Sequence, residues 1–254
     1  MPPAPPPLYA AAQSGNVEQL KMLIPRGGPN VNNPCHANQD WTPAIIAARN
    51  GHNTVLQILI EHGADVRVTN ARGFTPLHIA AEFGQEDCLE TLIDEASRIK
   101  RKKKLLEAMT QTGEHTALHL AVQHGQDGAI EVLLDHGAST EAVSSTGHTA
   151  LHYAAHLGNN VAVEILLAAM ANSAAVSNKG GTPLFYAAMN GHVGCVHQLL
   201  LSGSDPHVET EWGTAEQQAQ LKGHTAVVEL LRNPPTMEAP QMPTLLVMNE
   251  EANE

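Results

Sequence analysis

Aromatic side chains are scarce in this chain: three Phe, three Tyr and two Trp, 3% of its 254 residues. A sandwich of β-strands is enriched in aromatic and β-branched residues, so this scarcity beside abundant Ala and Leu favours short, closely packed helices. Cysteine is also rare, with only Cys35, Cys88 and Cys195. An odd, small number excludes a disulfide framework and points to a reducing compartment, cytosol or nucleus. No stretch approaches about 18 uninterrupted apolar residues, and Met1 to Pro7 lacks the basic and apolar regions of a secretory signal, so the protein reads as soluble, neither secreted nor membrane-spanning. No Ser, Cys or carboxylate stands in a recognisable nucleophile context, and no glycine-rich loop follows a strand to cradle phosphate. Neither enzymatic activity nor a cofactor is expected.

Hydrophobic residues make up 43% of the chain, enough for a folded core in one elongated domain or two small ones. The formal charge of −12 is unevenly spread. Residues 98–104 hold six basic side chains and no acid, so the remainder of the chain carries −18. A largely acidic chain repels phosphate backbones, and nucleic acid is not an expected partner.

Self-similarity organises the rest. Thr42-Pro43, Thr75-Pro76, Thr116-Ala117, Thr149-Ala150, Thr182-Pro183 and Thr214-Ala215 recur at spacings of 33, 41, 33, 33 and 32. Gly51, Gly84, Gly125, Gly158, Gly191 and Gly223 follow at the same intervals, giving a period of 33 with one insertion of eight. A Thr before Pro or Ala caps a helix, Pro is tolerated at its first position, small alanines allow close helix contact, and the glycine ends it. A second amphipathic helix then runs to Gly63, Gly137 or Gly203, where a left-handed cap is required.

The motifs Thr75-Pro76-Leu77-His78-Ile79-Ala80-Ala81 and Thr149-Ala150-Leu151-His152-Tyr153-Ala154-Ala155, with Gly51-His52, Gly191-His192 and Gly223-His224, resemble the ankyrin repeat family over residues 8–232. The resemblance implies an all-α solenoid of stacked helix-turn-helix units joined by short hairpin loops. Seven units are expected: 8–40, 41–73, 74–114 with the insertion, 115–147, 148–180, 181–212 and a shortened 213–232. The first lacks a Thr-Pro start and the last has polar Glu216-Gln217-Gln218, as caps of a stack should. Residues 1–7 form a Pro-rich segment and 233–254 a disordered acidic tail, whose Leu245-Leu246-Val247-Met248 patch is a minor candidate for docking.

Fifteen histidines invite a metal reading. The resemblance instead gives His78, His119 and His152 a structural hydrogen bond to neighbouring threonines, and sets His52, His192 and His224 in the Gly-His turn. His115 and His148 hold one equivalent position in successive units, with His124 and His156 nearby. Equivalent positions on stacked helices lie about 8–10 Å apart, whereas zinc needs each ligand nitrogen within about 2.1 Å, so no metal site is expected. These four instead suggest a partner-binding patch whose charge changes near pH 6.5. Cys88 and Cys195 share a second-helix register with Val55 and Ala129 and read as core.

In the family, hairpin tips and the exposed side of each first helix line a concave groove. By register the candidate protein-binding residues are Trp41, Arg49, Arg72, Phe74, Phe83, His115, His124, His148, His156, Lys179 and Trp212. Trp41, Phe74, Phe83 and Trp212 are half of all the aromatics, and Trp, Tyr and Arg are the residues most enriched in interface hot spots. Trp41, Arg49, Arg72, Phe74 and Phe83 are expected to form an anchor patch on units two and three; Tyr153 and Tyr186, one position inward, read as packing residues. The run Lys100, Arg101, Lys102, Lys103 and Lys104 resembles a short nuclear-import signal; a solvated arm and an anion contact are the other readings, with Ile99, Leu105 and Leu106 touching the stack. Asn32 lies at a hairpin place where members of the family can undergo asparagine hydroxylation.

The expected function is a non-enzymatic adaptor, monomeric alone, that holds a protein partner in its groove, in cytoplasm or nucleus. The alternative is a nuclear regulatory cofactor that masks a transcription or cell-cycle factor, with the basic run directing import. An enzyme or metal-dependent protein is the remote third.

Overall fold

A computed structural model describes residues 5–24, 30–36 and 39–235. Among these residues the chain forms fifteen helices and no strand. They are paired in order: α1 (Pro7–Ser14) with α2 (Val17–Leu23), α3 (Pro43–Arg49) with α4 (Asn53–Glu61), and α5 (Pro76–Glu82) with α6 (Glu86–Arg98), to which the short α7 (Lys102–Leu106) is added. Then come α8 (Ala117–Gln123) with α9 (Asp127–Asp135), α10 (Ala150–Leu157) with α11 (Asn160–Ala168), α12 (Pro183–Met189) with α13 (Val193–Leu201), and α14 (Ala215–Lys222) with α15 (Thr225–Arg232). First helices pack on first helices along the stack and second helices on second helices, so two layers enclose one continuous core.

Each pair folds for reasons written in its letters. The hydroxyls of Thr42, Thr116, Thr182 and Thr214 accept the backbone N–H three residues on, which satisfies a helix-end donor that has no partner inside the helix. Ala47, Ala48, Ala80, Ala81, Ala154, Ala155, Ala187 and Ala188 are all fully buried, and their small size sets the close spacing of the inner layer. Gly158 shows why the glycine recurs: its φ is +76°, and a Cβ there would meet Nδ1 of His192 at 2.5 Å. Above it the His192 ring reaches back to the His156 carbonyl at 3.0 Å, tying one turn to the next.

Within the insertion both helical outcomes occur. α6 has 13 residues where α4, α9, α11 and α13 have nine, so it continues one extra turn. It stops at Lys100, whose φ of +56° closes it without a glycine. α7 then folds back and buries Leu105 and Leu106, whereas Ile99 stays 36% exposed and is no anchor.

At the ends, α1 already includes Pro7, so the expected Pro-rich segment runs into helix; residues 1–4 lie outside the described residues. Of the expected tail, residues 236–254 with the Leu245 to Met248 patch also lie outside them.

Candidate functional site

Both the hairpins and the first helices are held to a fixed geometry. In the hairpin before α5, the Asn70 side chain accepts the backbone N–H of Arg72 at 2.9 Å and of Phe74 at 3.0 Å, which sets where those two residues sit. Backbone bonds also run from one hairpin to the next: the N–H of Ala71 donates to Gln39, that of Gln111 to Arg72, that of Ser145 to Gly113 and that of Asn178 to Thr146, all at 3.0–3.1 Å. The tips therefore form one laterally bonded edge. Asn32 belongs to the same lattice, its amide bridging to the Gly63 carbonyl at 3.1 Å and the Asp65 N–H at 2.8 Å.

Most of the candidate residues gather at two centres on this edge. At the first, the guanidinium of Arg49 lies 5.3 Å from the Trp41 ring and 4.9 Å from the Phe83 ring, and that of Arg72 lies 4.9 Å over Phe74. Phe83 is exposed and Trp41 half-buried. Phe74 departs from expectation: it is only 6% exposed and forms, with Ile45, Ile79 and Leu120, a small secondary core against which Trp41 packs. Register gives the position of a residue in the turn but not the side to which its side chain turns. Phe74 is therefore the floor of the patch, not a contact surface.

The second centre is a cavity of about 490 Å³ lined by His148, Tyr153, His156, Lys179, Tyr186 and Trp212, together with Ser145, Thr146 and Asn178. Trp212 stacks on Phe185 at 5.9 Å with an interplanar angle of 23°, and the Lys179 ammonium sits 5.0 Å from the Trp212 ring. Gln218 donates to the Trp212 carbonyl and fixes the turn. Tyr153 and Tyr186, expected to be packing residues, have a double role. Their hydroxyls bond to Ser144 and Ser177 at 3.2 and 3.0 Å, while their rings form the cavity wall. Their place one position inward from the groove register was the available signal for this.

His115 stands beside the cavity, bonded through Nε2 to the Tyr153 hydroxyl at 2.9 Å. His124 lies apart, exposed and 3.8 Å from Glu82. The expected patch with a charge change near pH 6.5 needs correction. Burial pushes the pKa of His115, His148 and His156 down, with neighbouring His156 and His192 adding to the effect on the last two, so these rings stay neutral further into acid. No group of three or more His, Cys, Asp or Glu side chains with metal-binding geometry occurs among the described residues. A larger hollow of about 760 Å³ lies on the outer layer between α11, α13 and α15, away from both centres. Cys35, Cys88 and Cys195 are buried free thiols, and burial raises Cys88 and Cys195 to about 11. No described helix is long and apolar enough to cross a membrane.

Two layers of capped helical hairpins with a laterally bonded edge define a repeat solenoid of the kind that serves as a protein-interaction scaffold. The sequence profile described as "Ankyrin repeats (3 copies)" matches residues 8–104, 100–177, 118–210 and 162–239, and the chain belongs to the ankyrin repeat family. It is similar to the ankyrin repeat domain of Bcl-3, described as a unique member of the IkappaB protein family. That match has 27% identity and a TM-score of 0.76, and covers 89% of this chain and 98% of that one. Protein phosphatase 1 regulatory subunit 12A of Mus musculus is 41% identical over 59 residues, 23% of this chain and 6% of that protein. Putative ankyrin repeat protein YahD of Escherichia coli (strain K12) is 35% identical over 91 residues, 34% of this chain and 44% of that protein. The NF-kappa-B inhibitor cactus of Drosophila melanogaster is 41% identical over 69 residues, 27% of this chain and 13% of that protein. The chain thus spans less than half the length of each of these curated relatives.

Proposed function

We propose that this protein is a non-enzymatic adaptor, working as a monomer, that holds a protein partner along the edge formed by hairpin tips and first helices. The observation that carries this reading is the placement of the aromatics. Trp41 and Phe83 stand at one end of the edge, and the partly exposed Tyr153 and Trp212 wall a cavity towards the other, with the buried Tyr186 beneath them. Large rings beside water are costly unless a partner covers them, and such rings dominate interface energetics. The test replaces Trp41, Phe83 and Trp212 with Ala in the whole protein and measures partner capture by affinity purification. Capture should fall at least about tenfold while the unfolding transition stays cooperative and is only modestly lowered, since none of the three rings is buried although Trp41 packs against the core. Undiminished capture by the folded triple variant counts against the groove.

A second reading, a regulatory cofactor that enters the nucleus and masks a transcription or cell-cycle factor, draws on two observations. Lys100, Arg101, Lys103 and Lys104 are exposed on the insertion, and the similar proteins include an NF-kappa-B inhibitor and a member of the IkappaB family. A fluorescent fusion with Lys100, Lys102, Lys103 and Lys104 changed to Gln should lose nuclear signal. An unchanged distribution returns the reading to a cytoplasmic adaptor.

A further inference from the structure

The chain has 26 acidic against 14 basic side chains, so an arginine has carboxylates to choose from. Arg67, Arg98 and Arg232 are each held by one, Asp65 at 2.9 Å, Glu95 at 2.6 Å and Glu216 at 2.7 Å. Arg101, in the basic run, has no acid partner among the described residues, and Arg49 and Arg72 differ from all four. Among the described residues neither is paired with an acid, and both lie on aromatic faces instead, Arg49 between Trp41 and Phe83 and Arg72 over Phe74. Of the acids in the same neighbourhood, Asp40 is hydrogen-bonded to His36 at 2.6 Å, and Glu82 has the His124 ring 3.8 Å away.

This arrangement has a chemical consequence. A guanidinium set against an aromatic ring makes no hydrogen bond to a carboxylate there, so its five in-plane N–H donors stay available to an incoming anion. The stacked side chain has already given up much of its rotamer freedom, so less is lost when an anion docks. That in-plane fork matches the two oxygens of a carboxylate or phosphate. Trp41 adds a rigid apolar surface, because it rests on the buried Phe74 cluster, and Asn70 holds the backbone that carries Arg72.

We propose that Arg49 and Arg72 form an anion-reading site for an acidic, extended segment of the protein partner. Carboxylate or phosphate groups of that segment lie on the two guanidinium edges, and an apolar side chain rests on Trp41. The proposal rests on the groove reading and names the chemistry of the segment that the groove takes. Elsewhere the negative surface of the chain repels such a segment, and the competing basic surface is the run at 100–104.

The test uses the full chain with a photo-reactive benzoylphenylalanine in place of Phe83 or, separately, of Trp212, irradiated in extract from cells that express the protein. Peptides cross-linked at position 83 should each carry several Asp, Glu or phosphorylated residues. Arg49→Gln with Arg72→Gln should lower capture there by about tenfold or more, as expected for charge-assisted bonds. Lys102→Gln with Lys103→Gln and Lys104→Gln should leave it unchanged. Pretreating the extract with phosphatase abolishes capture if phosphate is the anion and leaves it if carboxylates are. Cross-linked peptides without acidic groups, capture indifferent to the double arginine change, or no capture at position 83 would overturn the proposal. If capture persists at position 212 in those cases, the groove reading stands without it; if both positions fail while one on the outer layer, such as Val161, succeeds, the groove reading falls as well.

Discussion

His78, His119 and His152 each use their two ring nitrogens for opposite jobs. Nδ1 accepts the backbone N–H of Thr75, Thr116 or Thr149 at 3.1–3.2 Å, completing a capping box. Nε2 reaches the carbonyl of Ala108 at 3.0 Å, or of His148 or Gly181 at 3.1 Å, in the next hairpin, so it carries the proton and donates. A second proton on Nδ1 would set donor against donor in a buried place. Burial is the main cause that holds all three pKa values down, to about 4. In the unfolded chain these rings titrate near their ordinary value of about 6.5, so between that pH and about 4 the unfolded state binds protons that the folded state refuses. Stability is therefore full above that window, falls as pH drops through it, and levels off below. At pH 5 each ring is expected to cost on the order of 2 kcal/mol relative to pH 7.5. Urea unfolding at the two pH values checks this, and equal midpoints would refute it. The last unit supplies the control, for Gln217 fills the same capping role and does not titrate. His119→Gln should lose about 1 kcal/mol at pH 7.5 with the bond to His148, yet show a shallower pH slope.

The helix C-terminus has its own sequence logic. Gly63, Gly137 and Gly203 close the second helices with φ of +86° to +89°, and Met170 holds the equivalent place at +61°. The hydrogen bonds agree: the N–H of Met170 donates to Leu167 and that of Ala171 to Leu166, as those of Gly63 and Ala64 donate to Ile60 and Leu59. Met170 is 86% exposed, so its side chain gains little packing in return for a left-handed backbone. Met170→Gly should therefore stabilise the protein by roughly 1 kcal/mol, and Lys100→Gly, at +56°, by a similar amount. A lowered thermal midpoint for either variant would show that the strain is illusory.

The eight-residue insertion was legible from one spacing of 41, because stacking forces a constant period elsewhere. How it divides between an extra turn of α6 and the new α7 was not, since Lys100 supplies a glycine's conformation without a glycine's signature. Likewise, register found Trp41, Arg49, Lys179 and Trp212 at the edge but could not tell that Phe74, 33 residues beyond Trp41, lies beneath it. Burial of that ring depends on Ile45, Ile79 and Leu120, which come from three different units.

At the scale of the whole molecule, the main helix contacts among the described residues run within a unit or between neighbouring units, so damage should spread according to position. Leu133 is fully buried in α9 at the middle of the stack, and Leu231 is 4% exposed in α15 at its end. An unpaired carboxylate in either place is strongly unfavourable, but the stack can shed a terminal unit and keep the others, whereas a failed central unit exposes two interfaces. The two candidate binding centres fall on opposite sides of that division. Trp212 is held from the last unit by Gln218, while the patch of Trp41, Arg49 and Phe83 is built from α3, α5 and the hairpin before α3. In Leu231→Asp, hydrogen exchange should quicken in α14 and α15 and fade within about one unit, and Trp212 emission should shift to the red while Trp41 emission holds. In Leu133→Asp, protection should drop on both sides of α9. Read by exchange mass spectrometry and by fluorescence in single-Trp variants, equal loss throughout the chain in Leu231→Asp would mean that the solenoid unfolds as one unit, and that the two centres cannot be switched off separately.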